Sequence, residues 1–172
     1  MLTVTVNDFT SGLLALGINL GTGAPSVTRT ADTAWLQSMI DVYEREFLHK
    51  LLGYEVSDAF IAWLQDDAHE DNAGFSKLEA MLKDSAMGIN PAAAYVYFKV
   101  LDTANERASA TGVHRTADEG SVNPRALQIR AWNIMAAEVR DICRRMRDDE
   151  DFADAPIFTE LGLTRSLNWY GI

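Results

Sequence analysis

YEREFLHKLLGYE, residues 43–55, closes a strongly patterned helix and carries its stop signal. Upstream of Gly53, Leu36, Ile40, Tyr43, Phe47 and Leu51 recur at steps of four, three, four and four, the spacing of one face of an α-helix. Trp35, Met39, Val42, Leu48 and Leu52 widen that stripe, and Asp41, Glu44, Arg45 and Lys50 are assigned to the opposite face. Asp32 or Thr33 suits the start, where a side-chain oxygen accepts from unpaired backbone N–H groups. Gly53 suits the left-handed residue that ends a helix, and His49 and Lys50 place positive charge where the helix dipole favours it. The pattern predicts a core helix over about 33–52.

Working outward, Ser57 reads as the N-cap of a second helix running to Asp66, with Phe60, Ile61 and Leu64 turned inward. Residues 66–74, DDAHEDNAG, read as a polar loop, and a short helix follows over Ser76–Lys83. Asn90-Pro91 and Asn123-Pro124 each set a capping Asn before a proline at the first helical position. The helix after Asn90, about 91–109, is rich in Ala and aromatics, and its small residues permit close packing. The helix after Asn123, about 124–147, repeats Leu127, Ala131, Met135, Val139, Ile142 and Met146 on one face. Between them, TGVHRTADEGSV, residues 111–122, reads as a protruding loop or small hairpin.

The ends are less regular. Residues 2–6 alternate as in a short strand or extended arm, and the glycine-rich stretch to residue 31 leaves room for one helical turn near Leu13–Leu16. Asp148–Asp154 reads as an acidic, solvated helix end, expected to fray because negative charge is unfavourable at a helix C-terminus. The tail from Phe158 onward carries too many apolar residues to leave in water, so it packs on its own domain or docks on a partner. The expected organisation is an N-terminal arm (1–31), a helical domain (32–150) and a C-terminal tail (151–172). The fold class is mainly α, a small bundle of about four to five helices.

At 172 residues the chain suits one domain with a real core. A net charge of -10 argues against a surface that grips nucleic-acid phosphates, though a negative wall would let a duplex slide past. One cysteine, Cys143, excludes an internal disulfide framework and reads as a buried structural thiol. No stretch is long and apolar enough to predict a membrane span, and residues 1–20 lack the basic start of a secretory signal.

The sharpest chemical motif is Glu46-Phe47-Leu48-His49, half of a carboxylate-bridged di-iron site. Asp66-Asp67-Ala68-His69 offers a second acid-x-x-His, but it lies in an expected loop, and two further Glu residues would be needed. A metal-dependent helical-bundle enzyme therefore stands as one rival reading, and a generic helical adaptor as another. No Gly-x-Ser-x-Gly elbow or phosphate-binding loop is present, and no cofactor is expected. Arg140, Arg144, Arg145 and Arg147 share a helix with Glu138 and Asp141, which offset their field, so a solvated or subunit-interface face is expected.

Three segments in order resemble one family. LQSMIDVYEREFLHKLLGYEVSDAF, residues 36–60, is similar to the opening helix, Leu-Leu-Gly stop and second helix of head–tail connector (neck adaptor) proteins of tailed bacteriophages. NPAAAYVYFKVL, residues 90–101, resembles their Ala- and Tyr-rich central helix, and residues 111–122 resemble the loop before their long final helix. The first 30 residues and the aromatic tail do not align.

The resemblance implies a structural, non-enzymatic virion protein at the head–tail interface, made in the bacterial host cytoplasm. It would form a homo-oligomeric ring, expected to be a dodecamer, beneath the portal protein. That ring would extend the DNA channel without binding DNA specifically and would dock tail or neck proteins, with no membrane involved. By that analogy Leu163, Arg165, Leu167, Trp169 and Tyr170 are the candidate portal-binding or neighbour-binding residues, and Val113, His114 and Arg115 face the channel or the next subunit.

Overall fold

In the computed structural model of this chain, which describes residues 3–16, 27–66, 72–110, 124–152 and 161–168, the stripe around Tyr43 becomes α1, Val27–Leu52. It begins six residues before the expected start. Asp32 and Thr33 lie inside it rather than capping it. Each costs a helix interior only up to about 0.7 kcal/mol, which the buried packing just beyond them outweighs. Gly53 ends α1 with φ +77°, and its N–H donates to the His49 carbonyl at 2.9 Å. That single residue turns the chain directly into α2, Tyr54–Gln65. Ser57 is therefore not a cap. It is buried within α2, and its hydroxyl donates to the Tyr54 carbonyl.

α3, Ala73–Lys83, also starts earlier than expected, because Asn72 Oδ1 accepts from the Phe75 N–H at 2.9 Å and opens the helix. α4 spans Pro91–Ala110 and α5 spans Pro124–Asp148. Asn90 caps α4 as the Asn-Pro signal predicted, its Oδ1 accepting from the Ala92 N–H at 2.9 Å. Asn123, His69 and the whole of loop 111–122 lie outside the described residues. A one-turn helix, α6, covers Leu161–Thr164. The described residues contain no strand. The mainly α fold class stands.

α4 sits at the centre, between α1 and α5, and residues 91–97 are buried without interruption. A helix buried on every side must be apolar all round, which the run Ala92-Ala93-Ala94-Tyr95-Val96 supplies. Its alanines let α1 and α5 approach closely. Phe47, Leu48, Leu51, Met135, Val139 and Ile142 close over it, each large side chain contributing about 1.5–3 kcal/mol by its burial. α2 packs on α1, and Phe60, Trp63 and Phe75 join α2 to α3 through ring contacts of 5.4–6.1 Å.

Both ends fold back. Thr5 is extended, and after it two 3-10 turns, Val6–Phe9 and Gly12–Leu14, follow, with Val4, Phe9 and Leu14 buried in the core. The second turn falls close to where the sequence allowed one. Over its described residues, 148–152, the acidic exit does not fray. A 3-10 turn over Glu150–Phe152 buries Phe152, and Lys77 Nζ bridges Asp149 and Asp151 at 2.8 and 2.6 Å. That pairing holds the Lys77 ammonium above its ordinary value and the Asp149 carboxyl below its own.

Candidate interaction surface

Around α1 the sequence reading had two positions exchanged. Val42, assigned to the apolar stripe, is 60% exposed, and Glu44, assigned to the polar face, is completely buried. At about 100° per residue, Glu44 falls between Leu51 and Leu48 on the helix wheel, inside the buried arc, while Val42 lies outside it. That angular count was the available signal.

Glu44 holds the N-terminal arm. Its carboxylate accepts from the Thr3 N–H and the Thr3 hydroxyl, both at 2.7 Å, and from the Val4 N–H at 3.3 Å. Asn90 Nδ2 donates to the Thr3 hydroxyl oxygen at 3.2 Å, tying the arm to the start of α4 as well. Burial pushes the Glu44 carboxyl above its ordinary value. The bonds from Thr3 and Val4 oppose that shift, and Asp8 adds to it.

Glu138 plays the same part on α5. It is buried and accepts from the Ala86 and Met87 N–H groups at 3.1 and 2.6 Å. Its hydrogen-bond partners are thus these backbone groups, while Arg144 and Arg145 pair with Asp141. Within the same turn the Ser85 hydroxyl donates to the Ile89 carbonyl at 2.6 Å and accepts from the Ile89 N–H at 2.9 Å. Gly88, at φ +68°, makes the reversal that an L side chain resists. The result is a tightly fixed turn that carries Met87 outward, 57% exposed. Leu13, 52% exposed, lines a small cleft beside it with Gly88 and Ile89.

Among the described residues the other exposed apolar site is the α1–α2 corner. Tyr54 is 74% exposed, and its ring lies 4.6 Å from that of His49, whose Nε2 is 3.0 Å from Asp58 Oδ1. An open groove of about 750 Å³ runs from Asp41 and Val42 past Arg45 and His49 to Tyr54. Glu46 borders it but turns to α4, accepting from the Tyr95 hydroxyl at 2.8 Å and from Lys99 at 3.2 Å. The Lys99 ammonium also lies 5.3 and 5.4 Å from the centres of the Tyr43 and Tyr95 rings. Glu46 and His49, read together as half a metal site, thus serve different partners. No three of His, Cys, Asp or Glu among the described residues converge as metal ligands. Cys143 is half-buried rather than buried.

Of the tail residues named from the sequence, Leu163, Arg165 and Leu167 lie against α5. Leu163 is buried in this chain's own core, which removes it from the set available to a partner. The Arg165 carbonyl accepts from Trp132 Nε1 at 2.7 Å, leaving the Arg165 side chain exposed. Leu167 is half-buried, and its backbone pairs with the Asn133 side chain at 2.7 and 3.0 Å. Arg140 reaches the Thr164 carbonyl, and Arg144 and Arg145 both pair with Asp141. Trp169, Tyr170, Val113, His114 and Arg115 lie outside the described residues. No helix among the described residues is long and apolar enough to cross a membrane.

No protein-family model, curated protein or solved structure matches this chain.

Proposed function

We propose that the chain is a structural subunit of the head–tail connector of a tailed bacterial virus. In this reading it forms a ring beneath the portal protein, extends the DNA channel and docks tail or neck proteins. The observation that carries it is the order of elements. An amphipathic α1 stops at Gly53 and turns at once into α2, and an Ala- and Tyr-rich α4 is buried between α1 and a long α5. That order is the one the resemblance rests on. The net charge of -10 fits a wall that duplex DNA passes without sticking. The work assigned to the chain is assembly, in which weak contacts repeated around a ring give strong avidity.

The test is to mix the purified protein with the portal protein encoded in the same genome and record native mass spectra. The expected result is a complex holding this chain in a multiple that matches the portal's copy number. Free monomer beside an intact portal would overturn the reading.

A further inference from the structure

Among the described residues the exposed large hydrophobics are Leu13, Val42, Tyr54 and Met87, and they fall into two patches. Leu13 and Met87 flank the junction of the arm with the turn before α4, and Val42 and Tyr54 flank the α1–α2 groove. The patches lie on opposite sides of α1. Glu44 binds Thr3, and Thr3 binds Asn90, so the arm and the turn sit on the Glu44 side. Val42 precedes Glu44 by two residues, about 200° around the helix.

From this arrangement we propose that copies of this chain associate head to tail, with Met87 of one copy seated in the Val42–Tyr54 groove of the next. The inference rests on the ring reading and names its contact. Three features select a second copy as the occupant. First, the turn is a finished knob. Glu138, Ser85 and Gly88 already fix its backbone, so little further ordering is needed on binding. Second, the groove offers a tyrosine ring and an isopropyl group, and a methionine thioether packs well against such a surface.

Third, the charges complement. Asp8 and Asp84 are exposed on the knob side and Arg45 on the groove side. In the groove Glu46 is offset by Lys99, and Arg45 and Lys50 together outnumber the remaining acid, Asp41. Two different patches on opposite sides form a heterologous contact, which generates a ring when its rotation closes. One patch pairing with itself would give only a dimer.

The test uses full-length chains in a C143S background. A chain carrying M87C is mixed with one carrying V42C, and a short bismaleimide is added. The expected product is the mixed M87C–V42C dimer in excess over either self-linked dimer. M87E and Y54E are each expected to abolish oligomers in native mass spectra while helix content by circular dichroism is retained. M87A, a milder change on an exposed turn, is expected to weaken them. Self-linked V42C in excess would overturn the proposal in favour of a two-fold contact. Absence of any inter-chain link would also overturn it. If the wild type and both M87E and Y54E gather on the portal in equal number, the ring reading survives and this contact falls. If mixed links form but no portal complex does, the contact stands and the connector reading falls.

Discussion

The N-terminal arm and the C-terminal tail solve one problem with opposite chemistry. Each is a short segment that must lie against the bundle with backbone groups its own turns leave unpaired. The arm presents N–H groups, and a buried carboxylate on α1, Glu44, accepts them. The tail presents carbonyls at and beyond the end of α6, and three α5 side chains, Trp132, Asn133 and Arg140, donate to them. The arm's receptor is a charge removed from water. The tail's receptors are neutral or exposed groups near the surface. The difference teaches that the arm's N–H groups hang on one costly, buried carboxylate, while the tail's carbonyls hang on several modest donors.

Removing the single receptor should have the largest effect. Glu44→Ala leaves the Thr3 and Val4 N–H groups without their acceptor and should destabilise the chain by about 3 kcal/mol in urea unfolding. Limited proteolysis should then cut within residues 3–16. A loss below about 1 kcal/mol would break the comparison, because the arm would be held by its apolar side chains alone. On the tail side, Asn133→Ala removes a reciprocal pair with Leu167 at a half-buried site and should cost about 1.5 kcal/mol. Trp132→Phe keeps the aromatic contacts to Phe98 and Tyr95 at 4.9 and 6.2 Å but deletes the donor to Arg165. It should cost about 1 kcal/mol. A tail variant matching the Glu44→Ala loss would erase the distinction between one receptor and several.

The pH dependence separates the two attachments by sign rather than size. Burial raises the folded-state value of Glu44, so just above its ordinary value the folded chain holds a proton that the unfolded chain has released. The stability this contributes is fully present below about 4.5 and is lost as pH rises through the raised value. Glu44→Gln cannot titrate. Comparing urea midpoints of wild type and Glu44→Gln from pH 4 upward should show the difference moving against the wild type. Asn133→Ala and Trp132→Phe alter no titrating group and should shift stability by the same amount across that range. A difference that instead moved in favour of the wild type would reverse the assignment at Glu44.

Much of the bundle was legible because its signals are local. The apolar steps through α1 and α5, the Asn90-Pro91 start of α4 and the glycine stop at Gly53 are written within a few residues of where they act. Boundaries slipped where a different local device acted. Gly53 turned the chain so sharply that α2 began three residues before Ser57, and Asn72 opened α3 within what read as a loop. The acidic exit read as frayed because its partner, Lys77, lies 72 residues away.

The candidate surface was less legible. Glu44 and Glu138 look like solvent-facing acids on amphipathic helices, and Val42 looks like part of an apolar stripe. Their true settings depend on which segment covers each face of the helix. The sequence by itself determined the helices, their order and the all-apolar α4, since propensity, periodicity and caps are properties of neighbouring residues. Only the tertiary structure decided that Glu44 and Glu138 are buried receptors, that Leu163 belongs to the core, and that Met87 and Tyr54 stay exposed on opposite sides. Burial is fixed by what packs above a residue, and for Glu44 and Glu138 that is chain 40 to 52 positions away.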